Sequence, residues 1–81
     1  MIIVPVQCRM ARAALGWGVR ELATLAKVSA ETVARFERGE ELKERTIEAI
    51  QSALEDGGVD FIEQNGGGPG VRIRKSTKRK S

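Results

Sequence analysis

Residues 19–39, Val-Arg-Glu-Leu-Ala-Thr-Leu-Ala-Lys-Val-Ser-Ala-Glu-Thr-Val-Ala-Arg-Phe-Glu-Arg-Gly, decide how this chain is expected to fold. Leu22, Ala23, Leu25 and Ala26 set apolar or small side chains at helical spacing. After a break at Lys27–Val28, a second stripe runs through Val33, Ala34 and Phe36. Ser29 is a good N-cap for the second segment, Glu31 puts an acid in its first turn, and Gly39 stands where a C′ glycine ends a helix. Two short helices joined by three or four residues form a helix-turn-helix, a unit whose second helix can enter a DNA major groove. Helices that cross steeply need a small side chain at the contact, and Ala23 is placed to supply it. Val28, Val33 and Phe36 then wedge the second helix in place.

Working outward, Met1–Val4 is apolar, and Pro5 suits the first turn of a helix. That first helix is expected to run to Ala14 or Leu15, with Val6, Met10, Ala13 and Ala14 as its apolar side and Gly16 as its stop. Trp17, the lone tryptophan, reads as packing against the first two helices, and Gly18 is a weak N-cap for the second. Beyond Gly39, a polar link leads to a fourth helix over about Glu44–Glu55. It carries Ile47, Ile50, Ala53 and Leu54 on one face and Glu48, Glu55 and Asp56 in solvent, with Gly57 as its C′ residue. Val59-Asp60-Phe61 and Val71-Arg72-Ile73-Arg74 then alternate around Asn65-Gly-Gly-Gly-Pro-Gly70, which predicts a β-hairpin. Ile2-Ile3-Val4 offers a third strand. A lone hairpin is barely stable, so the helices or a partner's strand must cover it. Val59, Phe61, Val71 and Ile73 are therefore candidate dimer or partner contacts. The glycine run is no phosphate cradle, because no Gly-Lys-Ser/Thr follows it. The fold class is mainly α: a four-to-five-helix domain over residues 1–58, a short hairpin extension over 59–75 and a flexible basic tail over 76–81.

Eighty-one residues make one domain, near the lower limit for a core without metal or disulfide, so dimerisation would help. With no His and one Cys, zinc sites of His/Cys type and His-based catalysis are excluded; neither a cofactor nor enzyme activity is expected. Cys8 reads as a small core-facing residue of the first helix, compatible with a reducing cytosol. Met1–Val6 is too short to cross a bilayer, which points to a cytoplasmic protein. The net charge of +3 is lopsided. Val71–Ser81 holds six Lys or Arg and no acid, which leaves the other seventy residues at −3. The basicity belongs to the tail rather than to the helices.

Glu21-Leu22-Ala23, Val28-Ser29, Thr32-Val33 and Phe36-Glu37-Arg38-Gly39 resemble the helix-turn-helix of the phage repressor and Cro family of bacterial regulators. Leu15-Gly16-Trp17, Thr46-Ile47 and Ala49-Ile50 are similar too, so the resemblance covers residues 7–56. It implies that the start of the second helix of the motif faces base edges, through Ala30, Glu31, Ala34 and Arg35. Arg35 is then the residue to grip guanine O6 and N7. Ser29, Thr32, Arg38 and Arg45 match positions that hold phosphates. The basic tail, through Lys75, Lys78, Arg79 and Lys80, would follow the DNA backbone or a minor groove. Three features depart from the pattern, two single positions and one charge balance. Val19 stands where many members carry Gln. Lys27 replaces the usual turn glycine, so it either adopts a left-handed conformation or the turn differs. Across Ser29–Arg38, Glu31 and Glu37 cancel Arg35 and Arg38.

The expected function is a small sequence-specific regulator that binds double-stranded DNA as a homodimer on a palindrome. Small stand-alone members of the resembled family serve mobile elements, phage or toxin–antitoxin modules. The alternative is a protein-binding module on the same fold, an antiactivator or antitoxin-like partner that sequesters another regulatory protein.

Overall fold

Four helices and one antiparallel hairpin follow each other along the chain: α1 (Pro5–Leu15), α2 (Val19–Ala26), α3 (Ala30–Glu37), α4 (Glu44–Gly57), β1 (Val59–Ile62) and β2 (Gly70–Ile73). The structure, a computed structural model, describes residues 2–63 and 66–74. The architecture is mainly helical, with four helices rather than five among the described residues.

Local chemistry sets the joints. Gly16, at φ 71°, ends α1, and the Trp17 N–H closes back on the Arg12 carbonyl at 2.9 Å. Gly18 caps α2 without a side chain, but Glu21 Oε1 compensates by accepting its N–H at 2.9 Å. Lys27 takes the left-handed conformation at φ 62°, the one non-glycine among the described residues to do so, while Val28 N–H reaches the Ala23 carbonyl at 3.0 Å. Ser29 Oγ accepts the Thr32 N–H at 3.0 Å and so caps α3 as expected. Gly39, at φ 94°, ends that helix and lets Glu40 N–H return to the Arg35 carbonyl at 3.0 Å.

Leu22, Val33, Phe36, Ile50 and Leu54 form the centre of one core, joined by Ile3, Cys8, Val59 and the small Ala11, Ala23, Ala26 and Ala53. The small residues matter because they let the short helices approach closely. Leu25, expected in the core, is 55% exposed.

Three expectations are corrected here. First, α1 buries Gln7, Cys8 and Ala11, whereas Val6 is 39% exposed and Ala13 and Ala14 face solvent. Gln7 tolerates burial because both amide hydrogens and the amide oxygen find backbone partners. Its Oε1 accepts the Val4 N–H at 3.0 Å, and its Nε2 donates to the carbonyls of Ile62 (3.0 Å) and Gly70 (2.9 Å). Second, Ile2-Ile3-Val4 is not a strand; the sheet has two strands, paired from Val59↔Ile73 to Ile62↔Gly70. Pro5 starts α1 too soon for pairing, and the segment instead seats Ile3 in the core, with its N–H on Gln51 Oε1 at 3.2 Å. Third, Gly57 lies inside α4, and Gly58, at φ 121°, is the cap. Gly57 is needed for space, since a Cβ there would sit 2.8 Å from Trp17 Cζ2. The indole therefore packs over the end of α4.

The hairpin shares the helical core through Val59. Arg74, at its end, donates to the Val59 carbonyl (3.3 Å), to Asp60 Oδ1 (2.9 Å) and to the Glu55 carbonyl, tying β1 and β2 to the end of α4.

Candidate nucleic-acid interface

Helix α3 is anchored from behind by Glu37, in its last turn. Arg12 of α1 grips that carboxylate with both edges of its fork, Nε to Oε2 at 2.7 Å and Nη2 to Oε1 at 2.8 Å. The Cys8 thiol donates to Glu37 Oε2 at 3.1 Å, and Arg9 Nη1 donates to the Glu37 carbonyl at 2.6 Å. Burial alone would raise the Glu37 pKa, but the hydrogen bonds from Arg12 and Cys8 outweigh it and hold the carboxyl below the usual range. Burial first, then the bond to Glu37, pushes the Cys8 thiol up, so it stays protonated as a donor. Glu37 thus does not offset arginine charge on the outer face, as its place in the sequence suggested. It is turned inward.

With Val33 and Phe36 buried beneath, the other side of α3 faces out. Ser29, Glu31 and Arg38 are exposed; Ala30, Thr32, Ala34 and Arg35 are half-buried; Arg45 is exposed at the start of α4. Ser29 Oγ and Thr32 Oγ1 lie 2.8 Å apart. Arg35 donates through Nε to Glu40 Oε1 at 2.9 Å. Arg38 donates to Glu40 Oε2 through Nε (3.1 Å) and Nη2 (3.0 Å), and to Glu31 Oε2 through Nη2 (3.3 Å). Bonds from Arg35 and Arg38 hold the Glu40 carboxyl below the usual carboxylate range.

A concavity of about 480 Å³ opens beside the start of α3, lined by Val28, Ser29, Thr32, Arg35, Glu41, Leu42, Lys43 and Thr46. It gathers three of the expected contact residues, Ser29, Thr32 and Arg35; Ala30, Glu31, Ala34, Arg38 and Arg45 do not line it. Lys43 is not singled out by the sequence, and Thr46 enters only through the family resemblance, not as a contact residue. From the sequence Glu40 reads as part of the polar link and, with Glu41, as an acid directly after the α3 segment. A second, smaller concavity of about 210 Å³ lies among Trp17, Leu25, Ala53, Asp56 and Gly57, with no residue of α3 in its wall.

The hairpin candidates separate. Val59 is fully buried in the chain's own core and offers no surface; Phe61 and Val71 pack partly against that core; Ile73 is 58% exposed. Val59 fails as a contact because it is fully enclosed in the core cluster, although its cross-strand partner Ile73, on the same face of the sheet, stays exposed. Lys75, Lys78, Arg79 and Lys80 lie outside the described residues. Among the described residues, no group of three or more His, Cys, Asp or Glu is placed to hold a metal ion, and no helix is long and apolar enough to cross a membrane. Comparison with protein-family models and with curated proteins finds no match to this chain.

Proposed function

We propose that the chain is a small sequence-specific DNA-binding regulator of transcription, with α2 and α3 as its helix-turn-helix. It acts in the cytoplasm as a homodimer on a palindromic operator, with half-sites about one helical turn apart. One observation carries the reading. A capped, eight-residue α3 is pinned to α1 through Glu37 and Arg12, and it presents Glu31, Ala34 and Arg35 on the side away from that anchor. A recognition helix requires this arrangement, because base contacts need a rigid element whose outer side chains are free of the core. Selection from a random duplex pool at near-physiological salt tests it. Enrichment of a two-fold symmetric site supports the proposal, and failure of the folded protein to enrich any motif refutes it.

The second reading, a module that sequesters another regulatory protein, draws on a different observation. Arg35 and Arg38 are both paired with acids, which lowers the positive potential that duplex DNA requires. Under that reading Arg35→Ala leaves regulation intact, while Ile73→Asp abolishes it.

A further inference from the structure

Glu40 holds two arginines of unequal freedom. Arg35 uses only its Nε on Glu40, so among the described residues both of its Nη groups are without a partner. Arg38 commits Nε and Nη2 to Glu40, and the same Nη2 also reaches Glu31. The Gly39 turn creates this arrangement. It folds the chain back so that Glu40 lies over the last turn of α3, within reach of Arg35 five positions earlier and Arg38 two positions earlier.

The consequences for DNA differ. A guanidinium held by Nε is oriented and still offers its Nη groups to guanine O6 and N7. Affinity for phosphates, in contrast, comes from positive charge that displaces counterions. Arg38 has its charge offset by two carboxylates, and any phosphate that takes it would leave Glu40, tethered by the same turn, close to a second anion. Resting on the DNA-binding reading above, we infer that Glu40 is a specificity-determining residue: it orients Arg35 for base contact and withdraws Arg38 from the phosphate backbone, which lowers affinity for non-cognate DNA.

The test measures binding of the full chain to the duplex enriched by selection and to a scrambled duplex, over a range of salt concentrations. Wild type is compared with Glu40→Gln, Glu41→Gln, Arg38→Ala and the Glu40→Gln/Arg38→Ala double variant. Glu40→Gln is expected to tighten binding to the scrambled duplex about fivefold and to steepen the salt slope by about 0.9, the increment for one further phosphate neutralised. Discrimination between the two duplexes falls accordingly. In the Arg38→Ala background the same substitution does little to binding of the scrambled duplex but still weakens the preference for the selected one through Arg35. Glu41→Gln, which removes an equal charge one residue away, has a smaller effect on the scrambled duplex. An unchanged slope overturns the inference while leaving the DNA-binding reading intact. So does a Glu40→Gln effect on the scrambled duplex that equals that of Glu41→Gln or is independent of Arg38, since net charge alone would then account for it. If neither wild type nor Glu40→Gln binds any duplex, the DNA-binding reading itself fails, and this inference with it.

Discussion

The two faces of α3 carry the same chemistry, glutamate paired with arginine at similar distances, in opposite surroundings. On the inner face the Glu37 side chain is 9% exposed and Arg12 20%. On the outer face Glu40 is 45% exposed and Arg38 54%. A pair largely removed from water is costly to break, because either charge left alone must be stripped of solvent without compensation. An exposed pair is screened and readily exchanged for another partner. The inner pair therefore fixes where α3 sits. The outer set leaves the position of α3 to the inner pair and, under the DNA-binding proposal, bears on what the helix contacts.

The largest way to break this comparison is Arg12→Ala, which leaves Glu37 with Cys8 as its main side-chain partner. It should cost about 3 kcal/mol in urea unfolding, the lower end for a buried pair that loses one member. Arg12→Lys should recover part of that, since it restores charge but not the two-pronged grip. A loss no greater than that of an exposed pair would erase the distinction between the faces.

The same anchor has a pH signature. Because the Glu37 carboxyl is held below its unfolded value, its contribution is fully present above the ordinary glutamate range and is lost as pH falls through the lower folded-state value. Acid unfolding of wild type should thus show a stability loss in that window which Arg12→Ala largely lacks, measured by circular dichroism from neutral to strongly acidic pH.

Smaller effects sharpen the contrast along α3. Ser29→Ala removes the acceptor for the Thr32 N–H and should cost about 1 kcal/mol, with faster amide exchange confined to the first turn. Lys27→Gly should raise stability by about 0.5 kcal/mol, since relief of the left-handed strain exceeds the added freedom of the unfolded chain. At the far end, Glu40→Gln should leave the melting temperature unchanged. A clear drop there would mean that the outer network holds the fold together.

Signals contained within a few residues were legible. Ser29 as a cap, Gly16 and Gly39 as stops, the Val33–Phe36 stripe and the alternation around the glycine loop all act locally, through backbone groups one turn away. Position-dependent features were not. Hydropathy ranks Val6 above Gln7 and so assigns α1 the wrong face; burial of Gln7 is favourable only because two hairpin carbonyls, more than fifty residues on, meet its amide. Gly57 looked like a terminator, and only the indole of Trp17 shows that it is a matter of space.

By itself, then, the sequence determined the helices, the caps at Gly16, Ser29 and Gly39, and the existence of the hairpin, because these follow from periodicity and from groups that satisfy or free the nearby backbone. Only the tertiary structure decided which glutamate turns inward, which apolar residues the core takes, and that Val59 belongs to the core while Ile73 does not. Those outcomes depend on contacts between residues far apart in the chain. Burial then fixes the energetic worth of a charge or an amide, and the sequence does not contain that burial position by position.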